Sequence, residues 1–365
     1  MKLFHTADWH LCAPMECSLP PQKAEERRAE LISRFAALCG RAKEMHVSAV
    51  LIAGDLCDTG LLPSAVCDYL TAKIRDAGDV RFLYVPGNHD RRCFPVPPDA
   101  LPENLTVFGD TWQTVSVGGG VTVTGRALPT EEVPAERFME GFPVFPDGGY
   151  HVVMLHGLLT EGTVFGGETC KIPVSALRDR GIDYLALGHL HSFRYEKIDR
   201  DCTACYSGCA EGRGFDECGE KGYVLLSPQE AGSGKKTSAR FIPFAGRVLH
   251  EVMLDVTGLD GDTHLWDQAA ERLLADIPED DLVKLVLCGE EAPGESGDPA
   301  LLAGSLRGRF YHLRITDERK TALDPAGYEN DVSLRGAFLR AVTAGEPDGT
   351  ERAEIIRAGL EALGL

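Results

Sequence analysis

Residues 81–90 read RFLYVPGNHD, an apolar run of strand length that stops at Pro86-Gly87 and continues into Asn88, His89 and Asp90. A strand buried on both faces of a parallel sheet is written as such an unbroken apolar run. Residues directly after it come out at the sheet edge where α/β proteins bind ligands. The same grammar occurs four more times. LFHT at 3–6 leads to Asp8 and His10, AVLIA at 49–53 to Gly54-Asp55, VVML at 152–155 to His156-Gly157, and YLAL at 184–187 to Gly188-His189 and His191. Between the first three runs, residues 21–46 place Leu31, Phe35 and Leu38 at helical spacing behind Pro21, and residues 63–76 form a second helical stretch. Strand, helix, strand, helix, strand predicts an α/β fold in which residues distant in sequence meet at one edge.

Past a loop holding Pro95, Pro97, Pro98 and Pro102, short alternating strands at 115–117 and 121–124 predict a second sheet, and residues 223–226 continue the strand series. AGSGKKTS at 231–238 reads as a flexible turn. From about residue 250 the order is strand (251–256), helix (264–276), strand (282–288), helix (300–306) and strand (311–315), a small α+β domain. Two helices are expected at the end, 333–344 and 350–363, the second carrying Ile355, Ile356, Leu360 and Leu363. We divide the chain into residues 1–248, 249–330 and 331–365.

With 365 residues, 44% hydrophobic and 25% charged, the chain can bury a core and is not a disordered or collagen-like sequence. Against 56 acidic residues stand 37 basic ones, a formal charge of −19, the reverse of a non-specific nucleic-acid binder. A polyanionic substrate must then be held locally. No apolar run reaches the roughly 18 to 20 residues that span a bilayer, and MKLFHTADWH lacks the basic and apolar segments of a signal peptide. A cytoplasmic protein without membrane contact is expected, and its twelve cysteines read as reduced thiols.

The five clusters hold imidazoles, carboxylates and one amide, the donors that suit manganese, iron or zinc, and magnesium is a further candidate. A pair of divalent ions accounts for them: Asp8, His10 and His191 on one, Asn88, His156 and His189 on the other, Asp55 bridging. Mn2+ is the expected metal. Such pairs sit about 3.5 to 4 Å apart and clamp the attacking and leaving oxygens of a phosphoryl transfer. Two ions against two carboxylates leave positive charge for a phosphodiester. His89 is left to meet the phosphate or the departing oxygen, with Asp90 orienting its imidazole. Arg91 and Arg92 follow as a basic step toward phosphates or as a solvated loop. Trp9 reads as an aromatic packed beneath the site. Cys202, Cys205, Cys209 and Cys218 contain a C-x-x-C pair, for which small thiols are favoured over a zinc knuckle. His5, His46, His151, His250, His264 and His312 read as structural or surface residues.

DWH, GDLCD, PGNHD, LHG and GHLH, in that order, resemble the motifs of calcineurin-like metallophosphoesterases. KLFHTADWHL, AGDLCDTGLLPS and YSGCAEGRGFDECGEKGYVLL are similar to the SbcD family of DNA repair exonucleases. The resemblance spans residues 2–226. It implies a four-layer αββα sandwich with a small C-terminal α+β capping domain, the metal assignments given above, and a role for His89 near the scissile phosphate. It further implies a DNA exonuclease or endonuclease, with terminal helices that dock on the coiled-coil base of an SbcC-like ATPase; homodimerisation is left open. Asp58 stands where some relatives have a histidine after the GD motif. Another binuclear phosphoesterase, acting on nucleotides or phosphoproteins, would carry the same ligands. A non-catalytic scaffold of this fold would have lost some, and none is missing here.

Overall fold

A computed structural model describes residues 1–365 except 16–18, 59, 91, 146–147, 232–233, 260–261, 292–296, 322–331, 346–354, 357, 360–361 and 363–365. The chain forms two compact units, Met1–His250 and Glu251–Leu365.

In the first unit two six-stranded sheets pack face to face. Leu3–Thr6, Ala49–Ala53, Arg81–Val85 and Leu105–Val107 run parallel side by side in one sheet. The hairpin of Gly222–Ala231 and Gly234–Pro243 extends it antiparallel beyond Leu3–Thr6. In the other sheet Val121–Gly125, Tyr150–His156, Tyr184–Gly188 and Thr203–Tyr206 are parallel, and Gln113–Gly118 and Arg194–Lys197 close its edges antiparallel.

The period-two alternation of a strand decides which side chain enters which layer. Val50 and Ile52 face outward onto Leu31, Phe35 and Leu38 of the helix Pro21–Glu44 and Leu70 and Ile74 of the helix Ser64–Asp76. Ala49, Leu51 and Ala53 face inward and meet Val152, Met154, Tyr184 and Ala186 of the other sheet. The outer face of that sheet, Val153, Leu155, Leu185 and Leu187, is covered by Phe138 and Leu177 on two four-residue helical turns and by Phe165 on the short strand Val164–Phe165. The layers are therefore helix, sheet, sheet, helix, the sandwich the motifs imply.

The long hairpin corrects one expectation: 234–238, read as turn from glycine, serine and lysine, is strand, because Ser238 through Gly234 pair in register with Ser227 through Ala231. Pairing partners override the weak β-propensity of such residues.

In the second unit Leu249–Asp255, which begins just before the unit boundary, forms a sheet with Leu282–Cys288 and His312–Asp317. The helices Thr263–Leu273 and Pro299–Ser305, each capped by an aspartate side chain (Asp262 and Asp298), bury Trp266, Ala270 and Leu302 among Val283, Leu285 and Leu287. Leu334–Ala344 is a helix capped by Ser333, and its Leu339 packs on Ile356. Most of the helix expected at 350–363 lies outside the described residues; Ile355, Ile356, Ala358, Gly359 and Ala362 are helical. No helix among the described residues is long and apolar enough to cross a membrane.

His5 ties the two sheets together from inside. Its Nδ1 lies 2.9 Å from the Tyr184 hydroxyl and its Nε2 3.1 Å from the Leu187 carbonyl, with no solvent exposure. Burial pushes the imidazole down to about 3, the hydrogen bond to Leu187 opposing it in part. A histidine lowered on folding is neutral in the fold and protonated in the unfolded chain. Its contribution is therefore complete above pH 6.5 and drains away below that, at about 1.4 kcal/mol per pH unit. Between pH 7 and pH 5 the parent should lose about 2 kcal/mol more unfolding free energy than His5→Gln in urea titrations. Parallel losses in the two proteins would show that His5 is not the group responsible.

Candidate metal centre

Each of the five clusters stands at the carboxyl end of a strand of the sandwich, and the backbone there is bent to turn its side chains inward. Asp8, His10, Asp55 and His189 all have positive φ, at 52°, 44°, 49° and 97°. For residues with a Cβ such a conformation costs about 1 to 3 kcal/mol and persists only where the surroundings hold it. Here Asp8 N–H donates to the Gly54 carbonyl at 3.1 Å, His10 N–H to the Asp55 carbonyl at 2.9 Å, and His189 N–H to the Asp8 carboxylate at 2.9 Å. Two glycines let the loops close up. A Cβ on Gly54 would fall 2.1 Å from His156 Nδ1, and one on Gly87 2.1 Å from Asp55 Oδ1.

The side chains meet in two groups. Asp8, His10 and His191 each bring a donor atom within 4.8 Å of the others, as do Asp8, Asp55 and His156. Asn88 Oδ1 joins the second group, 3.0 Å from His156 Nε2 and 3.3 Å from His189 Nδ1. Asp55 Oδ2 lies between the groups, 3.2 Å from His156 Nε2 and 3.7 Å from His10 Nε2.

What these atoms offer follows from what holds their rings. His10 Nδ1 faces the Asp58 carboxylate at 2.9 Å and His191 Nδ1 the Glu217 carboxylate at 2.6 Å. A carboxylate partner places the proton on that Nδ1 and leaves a lone pair on Nε2. The two Nε2 atoms confront each other at 3.2 Å. His156 Nδ1 donates to the Ala53 carbonyl at 2.9 Å, and its Nε2 faces the oxygens of Asn88 and Asp55. Imidazole nitrogens and carboxylate and amide oxygens that converge in this way form a cation site, a bound ion taking the place of any proton held between them, and imidazoles backed by carboxylates are a usual support for metal ligands. The donor set fits two divalent ions.

Ionisation divides the set. Burial pushes Asp8 up to about 7, with His156 and His191 opposing, so its charge calls for a cation. Burial also lowers His10 and His189 to about 4, which leaves both imidazoles neutral and able to ligate. Burial works against a charge on His156, but Asp55 and Asp8 outweigh it and carry the group up to about 9, so it holds a proton at neutral pH that a bound ion would displace. Burial likewise opposes the charge on Glu217, yet its bonds to His191 and Arg213 hold it at about 2.

His89 stands at the rim with 45% of its side chain exposed, and its Nδ1 faces Asp58 Oδ1 at 3.3 Å. Asp90 does not orient it, which corrects that expectation. The Asp90 carboxylate is buried and accepts backbone N–H groups from Leu56, Cys57 and Gly87. It pins the loop of Asp55 to the loop of Asn88, and the orienting contact falls to Asp58. Trp9 is buried edge-on against Phe35. Arg92 is exposed, and Arg91 lies outside the described residues. Cys202, Cys205 and Cys209 are buried free thiols, pushed up by burial, and Cys218 is half-buried; none of the four enters a group of facing donors among the described residues.

Asp58, Glu217 and Arg213 were missed as site residues. The Arg213 guanidinium reaches Glu217 at 2.9 Å and lies 4.0 Å from Asp58, joining the two carboxylates behind the imidazoles. Asp58 lies inside GDLCD, three residues after Asp55, which is the one local signal.

A family profile described as "Calcineurin-like phosphoesterase" matches residues 1–193. Uncharacterized metallophosphoesterase YhaO of Bacillus subtilis (strain 168) is 28% identical over 243 residues, 62% of this chain and 57% of its own length. DNA double-strand break repair protein Mre11 of Methanosarcina acetivorans is 24% identical over 291 residues, 76% of this chain and 44% of its own. The SbcD component of the nuclease SbcCD of Bacillus subtilis is 26% identical over 275 residues, 64% of this chain and 67% of its own. This chain spans about half the length of the first two.

Removing the charge behind His191 tests the geometry. Glu217→Gln should weaken Mn2+ binding at one of two sites by about 10- to 100-fold in calorimetric titration. Two sites of unchanged affinity would show that Glu217 does not act on the ligand.

Proposed function

The chain belongs to the calcineurin-like phosphoesterases, and from that premise we propose that it is a metal-dependent DNA nuclease, the hydrolytic component of an SbcCD-like repair complex. The observation that carries the proposal is the pair of converging donor sets, with the exposed His89 imidazole beside them on Asp58. The names of the Mre11 and SbcCD relatives supply the support for DNA as substrate.

Members of the family bind two divalent ions. In this reading Asp8, His10 and His191 hold one, Asn88, His156 and His189 the other, Asp55 lies between, and Mn2+ is the native metal. When bound, the ions supply Lewis acidity and positive charge at the phosphoryl oxygens. The chain's own residues do the rest. Asp58 and Glu217 fix the Nδ1 protons of His10 and His191, so that the Nε2 lone pairs point inward. Asp90 holds the two ligand loops in register. Asp58 also turns His89 so that its Nε2 gives a proton to the departing oxygen, as water adds across the P–O bond to leave a phosphate monoester and a free hydroxyl.

Residues 249–330 act as a cap that shapes DNA access, and the helices of 331–365 dock on a coiled-coil ATPase. With a charge of −19 the chain alone grips DNA weakly and with strong salt dependence, and the ATPase supplies much of the hold. The working compartment is the cytoplasm.

End-labelled duplex and hairpin DNA, offered with Mn2+, Mg2+ or a chelator, should be cut only with metal. His89→Asn should lower turnover about 10²- to 10⁴-fold while both ions stay bound. Near-parent cleavage by that variant takes His89 out of the mechanism, and hydrolysis of cyclic nucleotides or phosphopeptides but not DNA replaces the nuclease reading. A chain ending near residue 330 should no longer co-purify with the ATPase; full retention overturns the docking assignment.

A further inference from the structure

Beside the metal centre the first unit contains a cavity of about 860 Å³ that the chemistry described so far does not use. The half-buried Phe94, Leu101 and Val107 present its apolar surface with the buried Tyr84 and Phe108 behind them, and Leu61, Arg92, Asp110 and Gln113 also line it. Its volume lies in the range of roughly 300 to 1,000 Å³ typical of small-molecule sites.

Its place in the fold connects it to the reaction. Arg81–Val85 and Leu105–Val107 are parallel neighbours, with Tyr84 opposite Val107. The cavity is lined from the carboxyl ends of both, the same ends that carry the clusters. Pro86, Arg92 and Cys93 of its lining bracket the turn that follows Arg81–Val85. That turn bears Asn88 and His89, and it is held by the Asp90 carboxylate, by the Tyr84 hydroxyl donating to the Asp90 carbonyl at 3.2 Å, and by Leu62 N–H donating to the Cys93 carbonyl at 2.9 Å. Phe94 stands edge-on to Tyr84 with ring centroids 5.9 Å apart, so the inner wall is rigid and aromatic.

The lining selects a class of ligand. The Phe94 ring and the apolar surface around it take a flat ring, the Gln113 carboxamide matches the donor and acceptor edge of such a ring, and the Arg92 guanidinium takes an anion. Leu61 is 49% exposed and Arg92 is exposed as well, which puts both at the opening. Among the described lining residues, Arg92 is the one cation and Asp110 is the one carboxylate.

We propose that this cavity is a nucleoside subsite, which takes the base next to the scissile phosphate of an unpaired strand end while Arg92 meets the adjoining phosphate. The inference rests on the nuclease reading and adds to it that the protein senses the terminal base, besides the backbone. Base stacking on protein rings is worth enough to change affinity about tenfold or more.

The test uses the full chain and has two arms. In the first, saturation-transfer NMR compares deoxyadenosine monophosphate with deoxyribose 5-phosphate. The nucleotide should show transfer to its base protons, lost in Leu61→Trp, which fills the opening from a half-exposed position, and in Phe94→Ala. In the second, with Mn2+, an oligonucleotide with an intact terminal base should have a KM about tenfold below that of one with an abasic end. Both variants should erase the difference by raising KM for the intact end alone, with kcat unchanged. Equal KM for the two ends in the parent, or base transfer that persists in Leu61→Trp, overturns the subsite. Circular dichroism identifies a variant that has failed to fold, and the other then decides. Failure to cut either oligonucleotide strikes the nuclease reading, while the NMR arm still reports on the cavity.

Discussion

The arrangement of this protein depends on one electrostatic constraint: nitrogen and oxygen donor atoms of imidazole, carboxylate and carboxamide groups are aimed at one another. His10 and His191 face nitrogen to nitrogen at 3.2 Å, and His156 faces the oxygens of Asn88 and Asp55. In water such atoms would turn apart. They stay because their opposite ring atoms are committed elsewhere, to Asp58, to Glu217 and to the Ala53 carbonyl. The convergence is imposed by groups one layer further out.

That outer layer is fixed by the sandwich. Asp90, buried, directs its carboxylate at backbone N–H groups of two loops and so sets the distance between the Asp55 and Asn88 turns. The left-handed backbone at Asp8, His10, Asp55 and His189 is offset by backbone bonds between strands and by two glycines that admit close approach. His5, hydrogen-bonded from one sheet to the other, holds together the two halves that each supply part of the donor set. Packing energy from three apolar layers thereby maintains a local geometry that would be unfavourable alone.

Charge is organised at two scales. The chain as a whole repels polyanions, whereas the cluster of donor atoms invites cations, and bound cations invert the sign of the field where a phosphoester would lie. Arg213 lies behind the site, bonded to Glu217 and near Asp58, where it tempers the repulsion between two carboxylates.

Sequence alone located the strands that lead into the five clusters and the candidate ligand residues at their ends, because a buried parallel strand must be a continuous apolar run and its end must be polar. Residues 49–53 and 81–85 match observed strands to the residue, and the helix 21–46 ends only two residues early, at Glu44. Those features are local, so one stretch of chain contains their whole cause. The partnerships were not legible in the same way. Asp58 and Glu217 act on His10 and His191 across 48 and 26 residues, and Asp90, which sits beside His89 in sequence, binds the backbone near residue 56 instead. Strand 234–238 exists because of the strand it pairs with. Apolar periodicity reports what a residue needs, burial or water. Which lone pair meets which, and which carboxylate stands behind it, depends on how distant strands come together, and only the folded chain decides that.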